Sequence, residues 1–220
     1  MKNLAIFAAF ITAASAQAAP VTVTSLADFN TAIAGAPTST ETFDSDVAGG
    51  VSIAFANGTT STLSGGSLAF AAVDNSVTGG VFQGLVDGDG STGALFLTLD
   101  FGTPVIGFGA DFTSGGNPSF PGADDNSGVE FSVDGGTTFF DLTDELGASE
   151  GFLGVIDLMS TFQTVLFRSS SIDSDEGSFG VDNLILANTT TEIPVPASAL
   201  LLAAALGGLG IACHRSQRST

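Results

Sequence analysis

Oxygen-bearing side chains are the only chemically active groups that this chain gathers at short spacing. Acidic clusters stand at Asp44 with Asp46, at Asp87 with Asp89, at Asp124-Asp125-Asn126 and at Asp173-Ser174-Asp175-Glu176; Asp182-Asn183 follows the last. Ca²⁺ takes about six to eight oxygens from carboxylates, carbonyls and water. Such loops suit Ca²⁺ better than a transition metal, and the densest cluster gives Asp173, Asp175 and Glu176 as candidate metal ligands. That segment begins like an EF-hand loop but lacks the Glu that closes one. At each cluster the competing reading is a solvated acidic loop.

The parts of other catalytic sites are missing. The one His is His214, the one Cys is Cys213 and the one Lys is Lys2, all near the chain ends. A Ser–His–Asp or Cys–His arrangement has no general base in the body, and zinc sites rest on His and Cys. A pair of carboxylates is the minimal set of a glycoside hydrolase. With 23 acids in the chain some pair always lies at a workable distance, so proximity identifies nothing. The expectation is a protein without catalytic residues and without a required cofactor.

Charge narrows the partners. The chain carries 4 Lys and Arg against 23 Asp and Glu, a net of −19. Between residues 19 and 192 the only cation is Arg168. Self-repulsion there must be offset by salt or bound cations, and nucleic acid is excluded because phosphate binding needs Lys and Arg. The aromatic inventory is 19 Phe with no Trp and no Tyr. Sugar clefts usually use flat rings with a polar handle, so this composition counts against a lectin or a glycosidase.

The elements that would position these acids read as strands. Period-two alternation runs through Val51-Ile53-Phe55, Leu95-Leu97-Leu99-Phe101, Ile106-Phe108-Ala110-Phe112 and Val129-Phe131-Val133. It returns at Phe162-Val165-Phe167 and at Phe179-Val181-Leu184-Leu186. Asn57-Gly58, Gly65-Gly66 and Asp134-Gly135-Gly136 are turn chemistry, and Gly102-Thr103-Pro104 reads as a tight joint between two strands. Helix signals are few: residues 25–34, with Leu26, Phe29 and Ile33 on one face, and a weaker one over 141–146. The fold expected for residues 19–187 is all-β, a β-sandwich of jelly-roll type.

Both ends carry targeting features. Lys2, the uncharged stretch of residues 4–14 and Ala16-Gln17-Ala18 form a secretory signal peptide over residues 1–18, cut after Ala18. Residues 188–192 are a Thr-rich linker, and residues 193–220 form a tail in three parts. Pro194, Val195, Pro196, Ala197 and Ser198 come first; residues 197–213 follow without a charge; Arg215 and Arg218 close the chain. As a helix, that run spans roughly 25 Å, enough for a short transmembrane helix. The positive end would stay on the cytoplasmic side.

This tail resembles the PEP-CTERM sorting signal of Gram-negative bacteria, in the variant written VPLPA-CTERM. It departs in having Ile193 for the usual Val and a sparser basic end. The resemblance implies an exosortase, a membrane transpeptidase, as processing partner. It also implies delivery to the cell surface or to exopolysaccharide after a stage anchored in the inner membrane. Residues 99–112, 128–136, 152–170 and 179–186 also resemble bodies that precede such tails, which implies a sandwich and no activity. The function expected is that of an exported, non-catalytic surface or extracellular-matrix protein, with a biofilm as one such matrix. The alternatives are a Ca²⁺-dependent carbohydrate-binding or adhesion module and, third, a two-carboxylate hydrolase.

Overall fold

Alternation in sequence becomes alternation in burial. A computed structural model describes residues 19–66, 75–87, 94–114, 128–148, 150–170 and 176–189. The signal peptide and the sorting tail lie outside these residues. So do Asp89, Asp124, Asp125, Asp173 and Asp175. The elements are β1 (Val21–Val23), α1 (Leu26–Ala32), β2 (Thr38–Glu41), β3 (Ser52–Ala54), β4 (Thr60–Gly65), β5 (Ser76–Thr78), β6 (Val81–Asp87) and β7 (Leu95–Ser114). After them come β8 (Val129–Ser132), β9 (Phe140–Asp141), α2 (Leu142–Leu146), β10 (Glu150–Ile156), β11 (Phe162–Ser169) and β12 (Glu176–Asn188). The architecture is all-β, a large antiparallel sheet with two short helices. All described residues except Thr189 belong to one compact unit that ends at Asn188. Among the described residues no helix is long and apolar enough to cross a membrane.

Strand β7 organises the sheet. Residues 97–100 lie between β4 and β11, and residues 107–113 lie between β10 and β12. On the first side β3 extends β4, while β8 and β9 extend β11. On the second, β1 extends β10, and β12 pairs with β6 through residues 176–181 and with β2 through residues 184–187. Gly102-Thr103-Pro104 does not end a strand as the sequence suggested. The chain continues through it as a bulge: Asp100 pairs with Thr164 and Val105 with Phe162, so five steps on β7 face two on β11. Gly102 supplies the positive φ of 72° that the kink requires, and its N–H is held by the Asp100 carboxylate at 2.8 Å. The bulge also shifts the phase of burial. Leu95, Leu97, Leu99 and Phe101 face inward before it, and Phe108, Ala110 and Phe112 after it.

Phe side chains join the two groups of strands. Phe167 of β11 stacks on Phe179 of β12 with ring centroids 4.6 Å apart, although these strands share no ladder. Phe112 packs on Phe167, and Phe108 meets Phe131 edge to face. A smaller cluster lies under α1, where Phe29 and Ile33 pack with Ile156 and Ala187. Ser25 caps that helix by accepting the Asp28 N–H. Leu26, expected on the buried face, sits in the first turn and is 45 % exposed.

Glycines make room for these rings. A Cβ on Gly84 would lie 2.6 Å from Cζ of Phe179 and 3.1 Å from Cδ1 of Leu97. Phe179 is buried and stacked on Phe167, so it has nowhere to retreat. Gly84→Ala should therefore destabilise the body by about 1–3 kcal/mol through overpacking, read as a lower denaturant midpoint with an unchanged slope.

Candidate functional site

With almost no cations, the carboxylates must find other partners. Arg168 pairs with Glu130, its direct cross-strand neighbour, with Nη2 at 2.6 Å and Nε at 2.7 Å from Oε2. Its guanidinium also lies 3.4 Å from the centre of the Phe139 ring. The two side chains are 40 % and 22 % exposed, so solvent screening limits the ion pair to about 1 kcal/mol or less. It is the only ion pair among the described residues.

Many of the other described carboxylates take backbone N–H groups. Asp141 caps α2 by accepting from Thr143 and Asp144. Asp46 accepts from Gly79, and Asp182 from Asn183. Asp157 accepts from Met159 and Ser160 at 2.9 Å each. Asp134 accepts from the N–H groups of Thr137 and Thr138 and from the Ser132 hydroxyl. Partial burial pushes its pKa up, but the bonds from Thr138, Ser132 and Thr137 outweigh that and hold it down at about 2.

Of the candidate metal ligands, Asp173 and Asp175 lie outside the described residues, and Glu176 opens β12. The backbone register pairs Glu176 directly with Asp87 of β6. Asp87 and Glu176, far apart in sequence, thus occupy opposed backbone positions at one end of the β6–β12 ladder. Six residues along, Asp182 pairs with Asp111 of β7. Asn183, in the left-handed region at φ 50°, donates its amide to Asp111 at 3.0 Å. Like charges directly opposite on a ladder destabilise it. Asp44 and Asp46 are engaged separately, by the Thr42 hydroxyl and the Gly79 N–H. Among the described residues no three His, Cys, Asp or Glu side chains gather into a metal-binding group.

The alternation pattern pointed to no site at Glu41. This carboxylate ends β2, is 8 % exposed, and accepts the N–H groups of Phe43 and Asn57 at 3.1 and 3.0 Å. It lines a cavity of about 470 Å³ with Asp44, Phe55 and Asn57. Phe43 turns through a positive φ of 53° beside it. Nδ2 of Asn57 is buried without a partner. Nothing in the local sequence TSTE marks this acid, because its burial comes from β12 and the β3–β4 turn.

No protein-family model matches the chain, and neither the curated proteins nor the solved structures contain a significant match to it. The site therefore rests on its own geometry. Were Ca²⁺ held at Asp87 and Glu176, the ion at about a hundred times its dissociation constant would stabilise the body by about 2.7 kcal/mol at low ionic strength. That is roughly 5–10 °C in thermal midpoint for a body of this size. Asp87→Asn with Glu176→Gln should remove most of this gain. An equal gain from NaCl at matched ionic strength would show screening alone.

Proposed function

We propose that this protein is an exported, non-catalytic component of the cell surface or extracellular matrix. In this reading a signal peptide is removed after Ala18, and an exosortase-type enzyme processes the tail. The observation that carries it is the ordered tail: Pro194, Val195, Pro196, Ala197 and Ser198, then the uncharged run, then Arg215 and Arg218. The body supports it in kind. An all-β unit, with no Cys before Cys213, needs no disulfide to fold outside the cell. The finer reading of the fold is a β-sandwich of jelly-roll type. It is supported by β7 serving both groups of strands and by the contact of Phe167 with Phe179 across them.

A second reading, a Ca²⁺-dependent carbohydrate-binding or adhesion module, is favoured by one observation. The backbone register sets Glu176 opposite Asp87, one acid from each of two acidic stretches of the sequence. Exopolysaccharide is the partner class common to both readings.

The leading reading has a direct test in cells. Replacing Pro194 and Pro196 by Ala, or deleting the processing enzyme, should leave full-length protein in the inner membrane. Normal release of shortened protein after both changes would overturn it.

A further inference from the structure

We infer that export creates an internal ion pair: the α-ammonium of Ala19, freed by signal-peptide cleavage, docks into a cavity between the carboxylates of Asp134 and Asp157. The inference rests on the proposed cut after Ala18. Hydrolysis of the Ala18–Ala19 bond consumes one water and leaves a carboxylate on Ala18 and an ammonium on Ala19. Before the cut, the same nitrogen is a neutral amide.

The cavity has a volume of about 330 Å³ and is lined by Ala19, Pro20, Asp134, Asp157, Ser160 and Phe162, among others. Among the described residues, Asp134 and Asp157 are the only titratable side chains along its wall. The strand register places the chain start there. Val21 pairs with Ile156 and Thr22 with Val155, so one step back sets Pro20 opposite Asp157 and the next carries Ala19 past it. Antiparallel partners lie about 4.5–5.5 Å apart between Cα atoms, which puts the Ala19 nitrogen within reach of this carboxylate.

Asp157 is 9 % exposed, and its two described bonds, from Met159 and Ser160, both fall on Oδ1. No hydrogen bond to its Oδ2 is found among the described residues. The turn satisfies Oδ1, which leaves Oδ2 as the carboxylate oxygen able to meet a cation. Arg168 is already engaged by Glu130, and no Lys exists beyond Lys2. Asp134 is locked in its loop by three bonds and stays ionised well into acid. Docking would fix β1 to β10 at its open end. There the Thr22 hydroxyl already donates to Glu145 of α2, and Val23 packs against the cluster under α1. The folded body would then be complete only after export.

The sequence supplies an unusual probe. Once the signal peptide is gone the chain has no Lys, with or without its tail, so Ala19 carries its only primary amine. The rate of amine acylation against pH therefore reports that group alone. In 1 M NaCl, which screens the general negative field of the body, the midpoint should lie about one unit or more above the ordinary 7.7–8.0. Asp157→Asn, which keeps the Oδ1 acceptor, should return it most of the way, and Asp134→Asn part of the way. An ordinary midpoint in the unaltered protein, or an equal elevation in both variants, would overturn the inference. A second measurement covers variants that fold poorly. A folded pKa above the unfolded one gives stability that is full below about pH 8 and lost as pH rises through the folded value. Acetylating Ala19 should thus lower the thermal midpoint at pH 6 and make no difference near pH 11; equal midpoints at pH 6 would overturn it. Sequencing the exported N-terminus separates the two ideas. A start other than Ala19 removes the cleavage reading, while the amine titration on a chain made to start at Ala19 still decides the contact.

Discussion

A body with one cation cannot neutralise its carboxylates by ion pairing, and this constraint shapes the structure. Among the acids described, Glu130 takes the single Arg. Many of the others are placed where the backbone presents N–H groups: at the N-cap of α2, in the loop after β8, in the turn after β10, and at the bulge of β7. A carboxylate that accepts two or three N–H bonds is stabilised in its charged form without a counter-ion. Acid therefore works here as turn and cap chemistry. Clusters that look like metal loops in the sequence are partly this: Asp46 holds the Gly79 N–H and Asp182 the Asn183 N–H.

Packing solves the remaining problem, which is to hold the strands together without surface ion pairs. The Phe rings do most of this. Phe167 and Phe179 bridge strands that share no ladder, Phe112 packs on Phe167, and Phe82 extends the chain of rings toward Phe43 and Phe55. Such burial is indifferent to charge and salt, as a body of this composition requires. The bulge at Gly102 matters for the same reason. It allows one strand to change its inward face and serve both groups.

Much of the fold was legible because large inward-facing residues alternate along β7, β8, β11 and β12, with a change of phase only where the ladder shifts register. The turn at Asn57-Gly58 and the short helices were legible for local reasons: a positive φ at Gly58, and capping by Ser25 and Asp141. Strands β2 and β4 were not. Their sequences, TSTE and TSTLSG, are rich in Thr and Ser, and their strand state comes from pairing with β12 and β7. The candidate site was legible in part. Acid type and spacing marked Asp87 and Glu176, but only the register shows that they are neighbours. Glu41 and Asp157 carried no signal, because what makes them notable is burial contributed by distant strands.

The claim at the centre of this account is that backbone N–H groups, rather than cations, hold the carboxylates. Asp134 is its sharpest case. A folded pKa below the unfolded one gives stability present above the ordinary value of 3.8 and lost as pH falls through about 2. The most direct measurement is a carboxyl-resolved NMR titration of the folded protein, at low ionic strength and again in 1 M NaCl. The account predicts that Asp134 titrates near 2 in both, since short hydrogen bonds are little screened by salt. A midpoint near 3.8, or one that moves there as salt is added, would contradict it.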